Sequence, residues 1–511
     1  MKNKKYLYFT LLIPLTAFAC FVKPQIQEIL ASELPSENDM ARMQTMTLFG
    51  DSSTTMAFNW NTTFYNDTDL EIIPKDGSFA GDNVLRFKGS VEKSKAANDT
   101  YIHRVVATNL TPNSEYKYRF GDREIGAWCE TGSFKTSSIE KANFDFVHIS
   151  DPQGWQTNHY EQYGKLLKVM RDKINPDFVA LTGDIVNNST TAPALDQWEM
   201  ALSNQFDVFK DYPVAPVAGN HETAAYDFSS RFNLNHPEAS DLSSGDYYTF
   251  DYEGVHFIGL NTNDTRGNTN PNDATGLSDA QINWLEEDLK QHQSDKMRIV
   301  LMHKGIFDSG THSNNMGEMQ DCDIKYIREQ CVPLFSKYNV SLVLQGHDHL
   351  YSLSEPTIAK VENGQYSYDI DTNCKVENKT YDGEEIPTYT NLSGTFYLNS
   401  GTASGSKFYV PVLETIPEIH IQRTENPGTR MLSHILIREN TIIVKSYKVE
   451  GQQLNLLYQF AFEVSQSPVN PSGPNIGLIL AIVIPSSIGG LLLIGGGIFL
   501  TIFLIKRKKE K

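Results

Sequence analysis

The chain has 511 residues, of which 40% are hydrophobic and 21% are charged, with 44 basic side chains against 62 acidic ones and five cysteines. This length excludes a small scaffold held together by disulfides and allows about three domains. The formal charge of −18 excludes a uniform nucleic-acid-binding surface, because such binding depends on lysine and arginine neutralising phosphates.

The first 19 residues have the pattern of a secretory signal peptide. Residues 1–5 are basic, residues 6–18 are mostly apolar, and Ala17-Phe18-Ala19 has the small-x-small form that signal peptidases accept. We therefore predict export with cleavage after Ala19. A retained amino-terminal anchor and lipid attachment at Cys20 are the alternatives.

Residues 41–137 predict a small all-β unit. The segment 53–60 alternates in the manner of a strand, and the segments 101–108 and 116–120 flank a turn at Pro112. A β-sandwich of the immunoglobulin or fibronectin type III kind is the most economical architecture for this region.

Strand-like and helix-like segments alternate after residue 137. Strands are predicted at 144–149, 177–181, 214–218, 298–302 and 341–344, a hairpin at 247–250 and 255–260, and helices at 160–173, 198–209, 278–292 and 324–336, the third of them capped by Ser278. Such units predict an α/β domain with largely parallel central strands. The polar residues 356–392 predict a long surface insertion. Segments 395–399, 432–438 and 441–449 are expected to complete a second sheet.

The carboxyl-terminal segments predict a membrane anchor. Residues 465–475 form a polar stalk, residues 476–505 are uncharged and mostly apolar, and residues 506–511 are basic. About 20 apolar residues span a bilayer, and a basic flank favours the cytoplasm. We therefore expect a single-pass protein of the cell membrane with its catalytic domain outside. In that oxidising compartment Cys322 and Cys331, which are close in sequence, are predicted to form a disulfide.

Polar side chains of the metal-binding kind lie at or just beyond the ends of the predicted parallel strands. They are Asp151, Asp184, Asn220, His303, His347 and His349. Each alone has an ordinary explanation as a turn, cap or core residue, but open α/β sheets bind ligands at this edge. Carboxylate oxygens and imidazole nitrogens suit first-row metal ions. Two such ions about 3.5–4 Å apart could clamp a phosphoryl group and activate water.

The order of these motifs resembles the calcineurin-like metallophosphoesterase superfamily. The motifs are Asp151, Gly183-Asp184, Gly219-Asn220-His221-Glu222, a lone His303 and Gly346-His347-Asp348-His349, within residues 142–455. Residues 41–137 resemble the fibronectin III-like domain that precedes the catalytic domain of purple acid phosphatases. The resemblance implies an α/β (α+β) fold of four layers, an αββα sandwich behind the all-β domain.

The resemblance also implies roles for individual residues. Asp184 would bridge two divalent or trivalent metal ions, the first also held by Asp151 and His349, the second by Asn220, His303 and His347. His221 would lie beside the phosphate and Glu222 would orient His221. His312, nine residues after His303, has the spacing of a substrate-contacting histidine.

Two positions depart from the family pattern. Gln153 stands where the first motif often has histidine or glycine, so its amide oxygen would hold the first metal loosely. Asn187 stands where purple acid phosphatases have tyrosine, so we expect no purple charge-transfer band, and Fe, Mn and Zn all remain open.

The implied function is a cell-surface, metal-dependent hydrolase of phosphate esters, similar to an acid phosphatase, that activates water for in-line attack on phosphorus. A phosphodiesterase or nucleotidase of the same fold is the first alternative. A degenerate phosphoesterase that acts as a surface binding module is the second.

Overall fold

The structure is a computed structural model that describes residues 41–464, apart from 65, 98–99, 141, 189–192, 266–275, 296, 315–322, 363–364 and 413–418. The predicted signal peptide (1–19), stalk (465–475), transmembrane helix (476–505) and basic tail (506–511) lie outside these residues. Across the part of the chain that is described, none of the helices has the length and apolar character needed to cross a bilayer.

The amino-terminal unit is a β-sandwich, as the sequence predicts. Its strands are β1 (Arg42–Thr47), β2 (Gly50–Asp51), β3 (Met56–Thr62), β4 (Asp69–Pro74), β5 (Leu85–Lys88), β6 (Ser90–Lys93), β7 (Tyr101–Ala107), β8 (Glu115–Asp122), β9 (Ala127–Trp128) and β10 (Gly132–Lys135). One layer has the order β10-β8-β4-β5 and the other contains β1, β3, β7 and β6. Trp60 stacks on His103 and Phe120 with ring centroids 5.0 and 4.4 Å away, which fills the space between the layers.

Strand β3 is buried on both faces. Its apolar residues face the sandwich, while Asn59 and Asn61 donate hydrogen bonds of 3.2 and 3.3 Å to the carbonyl oxygen of Ser230 in the second domain. The polar half of the strand pattern therefore faces another domain rather than solvent.

The helices of the second domain are α1 (Thr157–Lys173), α2 (Pro193–Ala201), α3 (Phe206–Phe209), α4 (Asp279–Gln291), α5 (Thr311–Asn314) and α6 (Asp323–Lys337). The predicted helix 198–209 is wrong as one element: α2 ends at Ala201, and a 3-10 turn, Ser203–Gln205, separates it from α3. Gln205 donates its side-chain amide to the carbonyl oxygen of Met200 (2.9 Å), which supplies a side-chain donor to a carbonyl near the helix end. Ser278 caps α4 as predicted, accepting from the amide of Gln281.

The first ten strands of the second domain are β11 (Asn143–Ile149), β12 (Phe178–Leu181), β13 (Val214–Pro216), β14 (Tyr248–Tyr252), β15 (Val255–Gly259), β16 (Met297–Lys304), β17 (Leu342–Gly346), β18 (Tyr351–Ser354), β19 (Thr357–Glu362) and β20 (Gln365–Ile370). The remaining strands are β21 (Lys375–Tyr381), β22 (Glu384–Leu392), β23 (Phe396–Ser400), β24 (Ile421–Glu425), β25 (Arg430–Arg438), β26 (Thr441–Glu450) and β27 (Gln453–Val464).

Two sheets form the centre of the second domain. The first has the order β21-β22-β27-β26-β25-β11-β12-β13-β1-β3-β7-β6, and the second has the order β2-β14-β15-β16-β17-β23-β18-β24. They pack face to face through aromatic side chains such as Phe146 and Phe257, whose ring centroids are 5.6 Å apart. Helices α1 to α3 cover the first sheet, and Leu285 of α4 and Ile327 of α6 pack on the outer face of the second. The result is the four-layer arrangement.

The first sheet continues from one predicted domain into the other. Strand β1 pairs in parallel with β13 through Thr47 and Val214, so the two predicted units share a sheet. The region 356–392 is not simply a surface insertion: β19 and β20 form a hairpin, and β21 and β22 extend the first sheet by pairing β22 with β27. Strand β23 joins the second sheet as expected, whereas β25 and β26 belong to the first.

The predicted Cys322–Cys331 disulfide is wrong in this structure. Cys331 has a free thiol and is fully buried in the core between α6 and the second sheet. Cys322 lies outside the described residues. Burial in apolar surroundings raises the pKa of the Cys331 thiol and keeps it in the unreactive protonated form.

Candidate metal centre

The predicted ligand residues converge where the carboxyl edges of the two sheets meet. Those from the first sheet follow β11, β12 and β13, and those from the second lie at the ends of β16 and β17; they are Asp151, Asp184, Asn220, His303, His347 and His349. Asp151, Asp184 and His347 have φ angles of 52°, 49° and 75°. Non-glycine residues seldom adopt this left-handed conformation, and it is concentrated at functional sites.

The ligand atoms form two groups that share one carboxylate. Asp151, Asp184 and His349 offer atoms within 4.8 Å of one another, and Asp184, His303 and His347 do the same. In the first group Asp151 Oδ1 lies 3.2 Å from His349 Nε2. In the second, His303 Nε2 lies 3.3 Å from Asp184 Oδ1. Asp184 is therefore the residue that belongs to both groups.

Asn220 completes the second group. Its Oδ1 lies 2.9 Å from His303 Nε2, and the other ring nitrogen of His303 donates to the carbonyl oxygen of Thr182 at 2.8 Å. A backbone carbonyl on one ring nitrogen fixes the ring and directs the other nitrogen inward, as is usual for a metal-binding histidine.

The chemistry of these residues fits a metal ion. Among the described residues, Asp151 Oδ1 is buried without a well-aligned hydrogen bond, although His349 Nε2 lies 3.2 Å away, and His349 Nδ1 is buried without a hydrogen bond. Burial opposes ionisation of Asp151 and Asp184, but the imidazoles beside them, His349 and His303 first, outweigh it and hold both pKa values below the usual range. Burial lowers the pKa of His303, and Asp184 outweighs burial and raises that pKa to about 9. The buried carboxylates of Asp151 and Asp184 therefore stay ionised and favour a positive charge close to them, as a cluster of buried metal ligands should.

Glu222 is bound by the backbone of the loops around the ligand groups. Its Oε2 accepts hydrogen bonds from the backbone N–H groups of Asp184 (2.9 Å) and Gly219 (2.7 Å), and its Oε1 accepts from Val186 (2.9 Å). Glu222 therefore holds the backbone of the two loops that carry Asp184 and Asn220, and its predicted role of orienting His221 stays a prediction. Burial and the Asp184 carboxylate raise the pKa of Glu222 to about 8.

His221 is held by a backbone carbonyl. Its Nδ1 donates to the carbonyl oxygen of Asn187 at 2.6 Å, and its backbone N–H donates to Asp184 Oδ1 at 3.0 Å. With Nδ1 engaged, Nε2 lies 3.8 Å from Asp184 Oδ2 at the edge of the ligand groups. The ring is therefore positioned at the candidate centre without being part of either group.

Gln153 lies beside the first group and turns its amide nitrogen toward it. Nε2 donates to Asp184 Oδ2 at 2.8 Å and lies 3.2 Å from His349 Nε2, while Oε1 lies 3.4 Å from Lys407 Nζ. An N–H group does not bind a cation, so Gln153 is not a ligand in this rotamer. Rotation of the amide would present its oxygen instead.

A cavity of about 550 Å³ opens beside the ligand groups. His312 lines it, and its ring centroid is 4.3 Å from that of His347 and 5.4 Å from that of Tyr409. Lys407 and Tyr409 follow β23 and were not predicted from the sequence. The sequence feature that could have indicated them is the Gly/Ser-rich loop with a lysine that follows a strand of the second sheet. The predicted ligands also follow strands. The other lining residues include Thr223, Thr262, Asn263, Thr265, Lys304 and Asp323.

Two family models match the chain. Residues 144–351 match the calcineurin-like phosphoesterase family, and residues 43–136 match the purple acid phosphatase N-terminal domain. Both matches agree with the resemblance drawn from the motifs.

Similar proteins include bacterial and plant relatives. An uncharacterized protein of Mycobacterium tuberculosis is 24% identical over 330 residues, which is 60% of each chain. Purple acid phosphatase 23 of Arabidopsis thaliana is 26% identical over 280 residues, which is 49% of this chain and 57% of the relative. The chain thus spans about three-fifths of the length of these relatives.

The purple acid phosphatase PPD1 from yellow lupin seeds shares the fold. Its structure aligns with a TM-score of 0.61 and 16% identity over 83% of this chain and 74% of the lupin chain. That alignment covers more of the chain than either family model matches.

Proposed function

The chain carries a calcineurin-like phosphoesterase domain behind a purple acid phosphatase N-terminal domain, and on that premise we propose that it is a metal-dependent hydrolase of phosphate esters, similar to an acid phosphatase. The observation that carries the proposal is the position of Asp184, whose carboxylate belongs to both groups of ligand atoms. A shared carboxylate between two groups is the arrangement of a dinuclear centre.

The proposed centre takes two divalent or trivalent ions, of iron, manganese or zinc. Bound metal ions would supply Lewis-acid charge to the phosphate and lower the pKa of water. Asp151 and His349 would hold one of them and Asn220, His303 and His347 the other, with Asp184 between.

The remaining residues of the cavity position the substrate and move a proton. The bond from His221 Nδ1 to the Asn187 carbonyl oxygen leaves Nε2 to face the substrate, and when the ring is protonated on both nitrogens Nε2 can donate its proton to the leaving oxygen. Lys407, within 3.4 Å of Gln153 Oε1, supplies a cationic side chain at the wall of the cavity. Its ammonium group would attract the phosphate and stabilise charge that develops during attack.

We also propose that the enzyme acts at the cell surface. The support is the sequence alone: the signal-peptide pattern of residues 1–19 and the apolar segment 476–505 with its basic flank. The substrate would then be an extracellular phosphate ester.

A metal-supplemented substrate screen tests the activity. Purified protein is assayed with p-nitrophenyl phosphate, bis-p-nitrophenyl phosphate and nucleotides in the presence of Mn, Zn or Fe, beside Asp184→Asn. We expect hydrolysis by the wild type and none by the variant, with monoesters preferred. Faster cleavage of the diester or of nucleotides identifies the alternative enzymes, and equal inactivity of wild type and variant throughout contradicts the proposal and favours a binding module.

A further inference from the structure

A second cluster of metal-ligand residues lies at the opposite edge of the second sheet. Asp251, His256, His292 and Asp295 each offer one oxygen or nitrogen, and these atoms lie within 4.8 Å of one another. His303 ends β16 at the candidate metal centre, whereas Asp295 precedes the start of β16. The strand therefore separates the two clusters by its whole length.

The β14–β15 hairpin and the carboxyl end of α4 bring these residues together. Asp251 of β14 and His256 of β15 are directly paired across antiparallel strands, so their side chains share a face of the sheet. Asp288 and His292 are four residues apart at the end of α4, so they share a face of the helix. The rings of His256 and His292 stack with centroids 3.6 Å apart.

Each imidazole contacts a carboxylate through Nδ1. His256 Nδ1 lies 2.7 Å from Asp251 Oδ1, and His292 Nδ1 lies 2.6 Å from Asp295 Oδ2. The second nitrogen of His256, Nε2, is bound to Asp288 Oδ2 at 2.9 Å. A carboxylate on the outer nitrogen is the usual partner of a metal-binding histidine, because it orients the ring and raises its basicity.

The surroundings favour a cation that enters from solvent. The side chains of Asp251 and Asp295 are 44% and 32% exposed, while that of His256 is 1% exposed and anchors the cluster. The carboxyl end of α4 carries the negative end of the helix dipole. A neighbouring cavity of about 310 Å³, which includes Asp295, is also lined by Glu140, Glu253 and Glu439.

We propose that Asp251, His256, His292 and Asp295 bind a zinc-like transition-metal ion that ties the β14–β15 hairpin to the end of α4. Two imidazole nitrogens and two carboxylate oxygens are a donor set that zinc accepts in tetrahedral geometry, with bonds of about 2.0–2.2 Å and ligand atoms about 3.3–3.4 Å apart. The two short nitrogen–oxygen pairs reach that spacing by a shift of about 0.7 Å each. Rotation of the exposed aspartates provides it, and the His292 ring, which is 30% exposed, turns out of its stack on His256 so that both Nδ1 atoms face one ion.

Zinc binding to the full-length protein tests the site. Metal-free wild type, the double variant His292→Asn/Asp295→Asn and the control His236→Asn, an exposed histidine elsewhere in the domain, are loaded with zinc, separated from free metal and analysed for zinc per chain. We expect the double variant to hold one zinc fewer than the wild type and the control to hold the same number. Asp184→Asn should keep the zinc of the proposed site, because that site lies at the opposite end of β16 from the candidate metal centre.

Affinity and spectroscopy complete the test. Asp288→Asn should weaken zinc binding at this site about 10–100-fold, as removal of a supporting carboxylate does, and cobalt in the same site should give the visible absorption of tetrahedral coordination. Thermal melting by circular dichroism checks that each variant folds; if the double variant does not, the exposed Asp251→Asn replaces it in the same count. Equal zinc content in wild type and folded variant, or loss of all zinc in Asp184→Asn, overturns the proposal.

Discussion

Replacing Glu222 with glutamine tests what this buried residue does. In the structure Oε2 accepts hydrogen bonds from the N–H groups of Asp184 and Gly219, and Oε1 accepts from that of Val186. Glutamine has one oxygen, so its NH₂ group must face at least one of these N–H groups. The side-chain NH₂ group and that backbone N–H are both donors, so neither satisfies the other. Water cannot replace the lost acceptor, because Glu222 is fully buried.

The size of the effect follows from that one lost acceptor. A buried N–H without an acceptor costs about 1–3 kcal/mol. The N–H groups that can lose their acceptor belong to the loops that carry Asp184 and Asn220. We therefore expect the substitution to weaken metal binding by a large part of this free energy. A decrease in metal affinity of about 10–100-fold corresponds to ~1.4–2.8 kcal/mol, which lies within that range.

A double-mutant cycle with His221→Ala distinguishes this role from orientation of the histidine. Metal affinity is measured by chelator competition for the wild type, both single variants and the double variant, and kcat is measured with saturating metal. We expect Glu222→Gln to weaken metal binding equally with and without His221. Unchanged metal affinity, with a loss of kcat that appears only when His221 is present, would refute the backbone role and restore the predicted one.

Three further changes have distinct outcomes. His221→Ala should lower kcat by about 10²–10⁴-fold with metal content unchanged by elemental analysis; loss of metal as well would make His221 a ligand. Gly219→Ala should abolish metal binding, because the added Cβ would overlap the backbone nitrogen and Oδ1 of Asp184; normal metal content would show that the loop can move. Burial lowers the pKa of His103 to about 4, so its contribution to stability is complete above pH 6.5 and is lost as the pH falls toward 4. The free energy of unfolding should therefore fall by about 2–3 kcal/mol between pH 7 and pH 4.5 through this residue, and His103→Gln should remove that part of the slope in urea titrations; an unchanged slope would contradict it.

Local patterns predicted most elements but not their long-range pairing. The alternation of segments gave α1, α4 and α6 and the parallel strands close to their observed bounds, and Ser278 caps α4 as expected. Pairing of β1 with β13 joins residues far apart in the chain, and neither strand carries a signal of its partner. The polar composition of residues 356–392 predicts a surface insertion where strands β19 to β22 lie, because the mostly exposed β21 has the composition of a loop.

The convergence of the candidate ligand residues was predictable because their type and their place at strand ends agree. Asp151, Asp184 and His349 illustrate this, since each lies at or just beyond the end of a strand. The backbone contacts of Glu222 were not predictable, because its position beside His221 in sequence does not show that its carboxylate turns toward the N–H groups of Asp184 and Val186. Lys407 was not predicted because its loop follows β23, which lies outside the alternating strand–helix units. In addition, lysine is not among the side chains that commonly bind metal ions.

Removal and return of the metal test the central claim most directly. The protein is stripped with a chelator, reloaded with Mn, Zn or Fe, and assayed for phosphate release from p-nitrophenyl phosphate beside Asp184→Asn, with metal per chain measured on the same samples. We predict no release from the stripped protein, recovery on reloading that requires two ions at the candidate centre, and no recovery in the variant. Phosphate release by the stripped protein, or equal recovery in Asp184→Asn, would contradict a phosphoesterase centre built on the shared carboxylate.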